Sequence, residues 1–393
     1  MSRRRYRLQS DYDTAQPQSE CWPHVFPIDG KWQPDHSDVA QRRSRYERLA
    51  EIYQHKGDSE CYFGADFAVD ELCSFEKLPY SSFLGKYVSV LREPPANDSR
   101  YMREALREGI RLQQVLGVNP FTPGFIGSTD SHIGAPGAVN ESLYKGNHGA
   151  QHILGDGSQP QLPDRVEQSP GGLAVLYAEQ NTRAALFDAM LRREAYGTSG
   201  TRITLRFFGG WGFPVNMCQA ADFAALGYRD GVPMGGELPV QHAAAAPVFA
   251  VSALQDTGTA HSSGTSLQRI QVVKGWVDES GASREQVYDI AGNANNGAKV
   301  NLSSCEPVGN GFPRLCGVWT DPDFDPKHNA YYYARVLENP SCRWQQRICS
   351  ANRVTCDDPD AVPAAFAGCC DTTVPKTIQE RAWSSPIWYG ASP

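Results

Sequence analysis

An aspartate and a histidine two positions apart, Asp130 and His132, have the clearest capacity for chemistry in this sequence. They follow a short apolar run, residues 121–126, that begins after an Asn-Pro break and predicts a strand ending in a loop. At this spacing both side chains can project toward one point, where a carboxylate and an imidazole suit a divalent metal ion. The alternative is a polar turn with a hydrogen-bonded histidine, because an Asp-x-His pair alone is a weak signal.

A second group of ligand-type side chains lies upstream, in residues 49–61. Residues 49–54 are predicted to form a strand that runs into a turn at Gly57. Residues 98–116, between the two polar loops, have helical apolar spacing, and Gly117 follows as a candidate C-cap. Strand, helix and strand predict a βαβ unit with parallel strands. Both polar loops then fall at the carboxyl ends of neighbouring strands, where α/β barrels carry their active sites.

The remaining segments predict an α/β region followed by an all-β region. Residues 1–37 are polar and predicted to be disordered, and residues 38–47 to form a short charged helix. Long stretches at 58–97 and 134–170 predict loops over the site. Asn181 is the predicted cap of a helix over 182–194, and a strand follows at 201–208. The apolar positions of that helix predict one buried stripe, made of Leu186, Phe187, Met190 and Leu191.

Residues 209–393 predict a second, β-sandwich-like domain after a first domain at 38–208. Turn signals separate its strand candidates, which are residues 248–254, 267–273, 286–290, 317–320 and 330–337. The chain of 393 residues is long enough for two domains, and its net charge of −7 gives no case for nucleic-acid binding. No apolar run approaches the ~18 residues of a membrane helix, and no secretory signal follows the basic start.

Cysteine usage points to an oxidising compartment. Seven of the 11 cysteines fall between Cys305 and Cys370, a clustering typical of a disulfide framework in a periplasmic or secreted protein. Free thiols and a structural metal are the alternatives, although no Cys-x-x-Cys knuckle is present. A cysteine-rich tail without a visible signal predicts that the true amino terminus is missing or that the start is misassigned.

Four blocks together resemble the domain-of-unknown-function family 3604, which is related to the PHP (polymerase and histidinol phosphatase) superfamily of metal-dependent phosphoesterases. They are residues 51–61, 125–132, 171–203 and 382–389. The resemblance covers roughly residues 40–393. It implies an α/β plus all-β chain, in which a partial, distorted (β/α)7 PHP-like barrel precedes the β-sandwich-like domain. Such barrels hold two or three metal ions at their strand ends.

The resemblance also implies roles for individual residues. Asp130 and His132 map onto metal ligands, and Glu51 and His55 onto groups that serve as ligands or in catalysis. Lys56 maps onto a catalytic group for an anionic substrate, with a solvated loop lysine as the alternative. Further candidates implied by the family motifs are the ligand His24 in Pro23-His24-Val25 and the substrate contacts Gln54 and Glu60.

Two more substrate contacts are suggested by the residues themselves. His148 and His152 lie in the loop after the metal motif, and His148 is the stronger candidate. Arg183 lies in the first turn of a predicted helix, where it could hold an anion. Surface pairing is the alternative for Arg183, and an ordinary loop position is the alternative for the histidines.

One departure from the family pattern affects the functional prediction. Family members begin with a His-x-His strand, which residues 1–40 do not supply, so the chain resembles the C-terminal part of the barrel. A partner chain could complete that barrel. The first hypothesis is a hydrolase dependent on Zn, Mn or Fe that cleaves a phosphate ester or a related oxyanion ester of a small molecule. The alternatives are a non-catalytic, N-terminally incomplete homologue that acts as a binding or structural module, and a cysteine-rich extracellular structural protein.

Overall fold

The computed structural model describes residues 37–62, 70–77, 101–147, 161–240, 245–259 and 262–390. These residues form a mixed α/β, sheet-rich fold with several sheets, none of which closes within the described ranges. The helices are α1 (Ser37–Tyr46), α2 (Met102–Leu116), α3 (Arg183–Arg192), α4 (Phe223–Asp230) and α5 (Trp344–Ala351). The strands are β1 (Leu49–Gln54), β2 (Gly57–Asp58), β3 (Gly124–Gly127), β4 (Leu173–Leu176), β5 (Ala195–Thr198), β6 (Thr204–Gly210), β7 (Gly231–Pro233), β8 (Glu237–Leu238), β9 (Val248–Leu254), β10 (Gly258–Thr259), β11 (Ser262–Ser263), β12 (Leu267–Val277), β13 (Ser283–Gly292), β14 (Lys299–Val300), β15 (Pro307–Val308), β16 (Arg314–Thr320), β17 (Ala330–Glu338), β18 (Ser341–Cys342), β19 (Thr377–Ile378), β20 (Arg381–Ser384) and β21 (Ile387–Tyr389).

The predicted βαβ unit is confirmed. Strands β1 and β3 pair in parallel, with Leu49 opposite Gly124, and α2 connects them. Helix α2 ends at Gly117, whose φ of 74° is left-handed and whose N–H bonds to Gln113 O. Strand β2 returns antiparallel along the other edge of β1. Both loops of interest therefore leave the sheet at the carboxyl ends of β1 and β3.

Two larger sheets pack beneath this unit. One follows the strand order β13-β12-β17-β20-β5-β4, with β21 and β8 paired at its side, and the other follows the order β16-β9-β6-β7. Side chains alternate between the faces of a strand, and β17 shows this directly. Tyr332 packs on Phe249 of the second sheet, with ring centroids 4.3 Å apart, whereas Tyr333 packs on Phe125 of β3. The larger sheet is thus the middle layer of the fold.

The strands predicted in the C-terminal region are confirmed, and several extend further than the patterns indicated. The strand predicted at 248–254 matches β9, and the one predicted at 267–273 continues to Val277 in β12. Strands β4 and β5, from the first predicted domain, join β12 and β17 in one sheet. The boundary between residues 208 and 209 falls inside β6 and stays a prediction.

The buried stripe predicted for α3 is wrong. Phe187, Met190 and Leu191 are 57%, 38% and 41% exposed, and the small Ala189 is the residue that the helix buries. Helical spacing places the large apolar residues on one face of α3, but the folded protein buries the face that carries Ala189. The cap is Thr182 rather than Asn181, because the Thr182 side chain accepts from the N–H of Ala185.

The predicted disulfide framework is confirmed for the described residues. The five bridges are Cys61–Cys73, Cys218–Cys316, Cys305–Cys342, Cys349–Cys369 and Cys356–Cys370. Cys21 lies outside the described residues. Five disulfides indicate an oxidising environment for the folded protein. Within the described ranges, no helix has the length and apolar character needed to cross a bilayer.

Candidate functional site

The first wall of the candidate site is the tip of the β1–β2 hairpin. Gln54 pairs with Gly57, so His55 and Lys56 form a two-residue turn between the strands. Gly57 has a φ of 103°, a left-handed value that favours glycine. The Gln54 side chain accepts a hydrogen bond from the N–H of Lys56 at 2.8 Å. The side chain predicted to contact substrate therefore braces the turn.

The second wall is the loop that follows β3. Ser128 donates its N–H to Tyr53 O at 2.9 Å, which keeps the loop against the hairpin. Asp130 has a φ of 49°, a left-handed conformation that aspartate tolerates better than most residues. Thr129 Oγ1 accepts from the N–H of Ser131 at 3.2 Å. These contacts turn the Asp130 carboxylate toward the hairpin tip.

The two walls meet where His55, Lys56 and Asp130 converge. His55 is fully buried, and its Nδ1 lies 3.0 Å from Thr129 O. Because a carbonyl oxygen only accepts, Nδ1 carries the proton of the neutral ring and Nε2 carries the lone pair. Nε2 lies 3.6 Å from Asp130 Oδ2, which is longer than an N–H···O hydrogen bond. Lys56 Nζ donates to the same carboxylate oxygen.

His132 lies beside this convergence without joining it. Its ring centroid is 6.2 Å from that of His55, and its side chain is exposed. The one group of three ligand-type atoms within 4.8 Å of one another, among the described residues, is Cys61, Asp70 and Cys73. Those two cysteines form a disulfide and offer no thiolate. The structure thus brings His55 and Asp130 together and places the His132 ring beside them.

Glu51 lies further back on β1 and contacts the same loop. Its carboxylate accepts a hydrogen bond from Ser128 Oγ. The pairing of β1 with β3 shifts register between Glu51 and Tyr53. Strand alternation predicts that Glu51, Tyr53 and His55 share one face of β1, but Tyr53 packs between Phe75 and Trp383 in the core.

Glu60 lies in a buried ionic network. Its carboxylate is fully buried and accepts hydrogen bonds from Arg103 and Arg335, from the Tyr333 hydroxyl and from the Trp383 indole. Burial by itself would raise the pKa of Glu60, but the Arg335 and Arg103 guanidiniums outweigh it and hold that pKa well below its usual range. With both oxygens taken by protein donors, Glu60 holds the middle sheet to α2, and its substrate contact stays a prediction.

Close backbone packing brings a third segment to the site. A Cβ added to Gly172 would lie 2.4 Å from Thr198 O, and one added to Gly127 would lie 2.6 Å from the same atom. The ends of β3 and β5 and the start of β4 can therefore converge only with glycine at these positions. Gly172 also donates its N–H to Ser128 O at 2.6 Å. The loop before β4 thereby becomes part of the site.

Residues of the cysteine-rich tail donate hydrogen bonds to the backbone of this loop. Trp344 donates its indole N–H to Gln168 O at 2.7 Å, and Arg343 donates to Val166 O at 2.6 Å. Two of the five disulfides, Cys349–Cys369 and Cys356–Cys370, tie the segment after Trp344 together. The shared apolar cluster contains Tyr144, Leu162, Val166, Trp344, Cys349, Phe366 and Cys369. The tail is a scaffold for the site loops.

A model of the family described as protein of unknown function (DUF3604) matches residues 24–391. The chain belongs to this family. Comparisons with curated proteins and with solved structures returned no match. The DUF3604 match spans the hairpin, both site loops and the disulfide scaffold, so every element of the candidate site lies inside the region that defines the family.

The remaining predicted site residues of this DUF3604 chain are placed as follows. Arg183 is exposed in the first turn of α3, and His24, His148 and His152 lie outside the described residues. The sequence prediction missed Asn147, which is 2% exposed and donates hydrogen bonds to Asp164 and to Ser169 O. In the sequence, an asparagine beside a glycine-containing loop predicts an ordinary turn residue. Its one distinguishing feature in the sequence is its position next to the predicted substrate contact His148.

Proposed function

We propose that this chain is a metal-dependent hydrolase that cleaves a phosphate ester or a related oxyanion ester of a small molecule. The separation of 3.6 Å between His55 Nε2 and Asp130 Oδ2 carries the proposal. Two ligands held about 2.1 Å from one tetrahedral zinc ion lie roughly 3.4 Å apart. The observed pair is too long for a hydrogen bond and suits a shared cation.

The donor set fits a divalent ion such as Zn, Mn or Fe. His55 places its Nδ1 against a backbone carbonyl, which is the arrangement that fixes the tautomer of metal-binding histidines and presents Nε2 as the ligand. Asp130 adds a carboxylate, and His132, whose ring centroid lies 6.2 Å from that of His55, would supply a second imidazole. A divalent ion held there would polarise an ester oxygen and lower the pKa of a water molecule.

The chain's own side chains would bind and orient the substrate. Lys56 already places its ammonium on Asp130, so a cation is favoured at this point in the structure. With a metal ion held by Asp130, the Lys56 ammonium would be available to bind an anionic ester oxygen. Glu51, which lies further back on β1 and accepts a hydrogen bond from Ser128, would serve as a proton acceptor.

The wider setting follows from the family resemblance. We assign the βαβ unit to a partial PHP-like barrel, and a partner chain that supplies further strands and ligands would complete it. Support comes from the parallel pairing of β1 with β3 and from the position of both site loops at the carboxyl ends of these strands. The five disulfides support a periplasmic or secreted location.

The experiment is a metal titration of the oxidised protein, followed by assays with aryl phosphate monoesters and diesters. Asp130→Asn and His55→Gln should each weaken Zn²⁺ or Mn²⁺ binding by at least about tenfold and abolish metal-dependent hydrolysis. His328→Gln is the matched control, because His328 also faces an aspartate, Asp325, at 4.0 Å. Binding that is equal in all four proteins would refute the metal site.

A second candidate function is a non-catalytic binding module. The observation that favours it is the Lys56–Asp130 ion pair, which neutralises the carboxylate without a metal ion. In that case the protein would bind anions through Lys56 and would show no metal-dependent turnover. Anion binding that persists in EDTA and is lost in Lys56→Met would select this alternative.

A further inference from the structure

A buried asparagine connects the two histidines of the site. The backbone N–H of His132 donates to Asn147 O at 2.7 Å. The Asn147 side chain donates through Nδ2 to Ser169 O at 2.8 Å. Ser169 in turn donates its backbone N–H to His55 O at 2.9 Å. One residue therefore lies between the chain segments that carry His55 and His132.

Asn147 is held in place by hydrogen bonds of its backbone and of its side chain. Its N–H donates to Asp164 Oδ2 at 2.9 Å, and its Nδ2 also donates to the Tyr144 hydroxyl at 2.9 Å. Tyr144 donates its hydroxyl to the same Asp164 oxygen at 3.0 Å. Asn147 is 2% exposed and Asp164 is 4% exposed, so these bonds are shielded from water. Hydrogen bonds in such a setting fix positions more firmly than exposed ones.

We infer that Asn147 is a positioning residue that sets the spacing of His55 and His132 as metal ligands. The inference rests on the proposed function. Its chemistry requires a carboxamide, because two donors on one nitrogen reach Ser169 O and the Tyr144 hydroxyl together. An aspartate has the same shape, but it would place an acceptor against a carbonyl oxygen. A network that only stabilised the loop would affect folding and leave the metal's coordination unchanged.

The test compares Co²⁺ binding by the wild-type protein, Asn147→Asp and Asn140→Asp, all with intact disulfides. Asn140 is the matched control, because its Oδ1 accepts from Ser142 within the same loop and an aspartate keeps that acceptor. Asn147→Asp should bind Co²⁺ about 10- to 100-fold more weakly and change the visible absorption spectrum of the bound ion. Asn140→Asp should match the wild type in both measurements.

Each other outcome has a distinct meaning. A folded Asn147→Asp with unchanged Co²⁺ affinity and spectrum overturns the positioning role and leaves the proposed function standing. Wild-type protein that binds no Co²⁺, or binds it equally well as Asp130→Asn, overturns the inference and the proposed function together. If Asn147→Asp does not fold, Tyr144→Phe decides, since it removes one of the two Asn147 side-chain contacts. For Tyr144→Phe, a smaller loss of Co²⁺ affinity together with a changed absorption spectrum supports the inference, whereas unchanged affinity and an unchanged spectrum overturn it.

Discussion

Replacement of the buried Glu60 should destabilise the protein strongly. In Glu60→Gln, the negative charge is lost and one carboxylate oxygen becomes a donor that faces other donors. Arg103 and Arg335 are fully buried and lie 2.7 Å and 3.1 Å from the carboxylate. Breaking a buried ion pair from one side costs about 3–5 kcal/mol. Asp70 still accepts from both arginines, at 2.8 Å and 2.7 Å, so we expect about 3 kcal/mol, the lower end.

Urea unfolding monitored by tryptophan fluorescence measures this loss, because Trp383 donates its indole N–H to Glu60 at 2.7 Å. Glu279→Gln is the matched control, since the Lys327–Glu279 pair at 3.1 Å is 73% and 68% exposed. An exposed pair contributes at most about 1 kcal/mol.

The acid side of the pH profile gives a second test of Glu60. Its pKa is lowered in the folded state, so its stabilisation is present above the unfolded pKa and is lost as pH falls. The stability of Glu60→Gln should therefore fall less steeply than that of the wild type as the pH is lowered. Equal urea midpoints for Glu60→Gln and Glu279→Gln would refute the assignment of Glu60 as a structural ion.

Three further predictions concern other parts of the structure. Burial raises the pKa of Glu338 to about 8 in the folded state, whereas the unfolded state loses this proton near pH 4.5. The free energy of unfolding should therefore fall as pH rises between these values, by up to roughly 5 kcal/mol. Glu338→Gln should flatten that slope in urea unfolding at pH 6 and pH 9, and an unchanged slope would refute the assignment. Lys56→Met should strengthen Zn²⁺ binding in calorimetry by about tenfold, because the ammonium no longer competes for Asp130; weaker binding would contradict this. A Cys349→Ser/Cys369→Ser variant should lower the free energy of unfolding by about 2–4 kcal/mol and speed proteolysis of the site loops, and unaltered digestion would show that the tail is no scaffold.

Local patterns predicted much of the fold around the site. The strand at 49–54 coincides with β1, and the glycine signals at Gly57 and Gly117 fall where the backbone takes positive φ values. Each of these depends on neighbouring residues in sequence, as hairpin turns and helix caps do. The approach of Asp130 to His55 follows instead from topology, since a βαβ unit with parallel strands brings the loops after both strands to one edge.

Features that depend on distant contacts were not predictable. The exposed face of α3 follows from what lies beside the helix, and spacing along the helix carries no information about it. Glu60 meets Arg335 and Trp383 across 275 and 323 residues of sequence, so no local pattern separates it from an active-site glutamate. Asn147 gains its role only through Ser169 and Tyr144, because a buried carboxamide must satisfy both donors within the fold.

The most direct test of the metal centre is an anomalous diffraction measurement at the zinc edge on crystals of the oxidised protein grown with Zn²⁺. The account predicts a peak about 2.1 Å from both His55 Nε2 and an Asp130 oxygen, with the Lys56 ammonium moved away from that carboxylate. A peak found only elsewhere, or none at this position with the Lys56–Asp130 pair intact, would contradict the account.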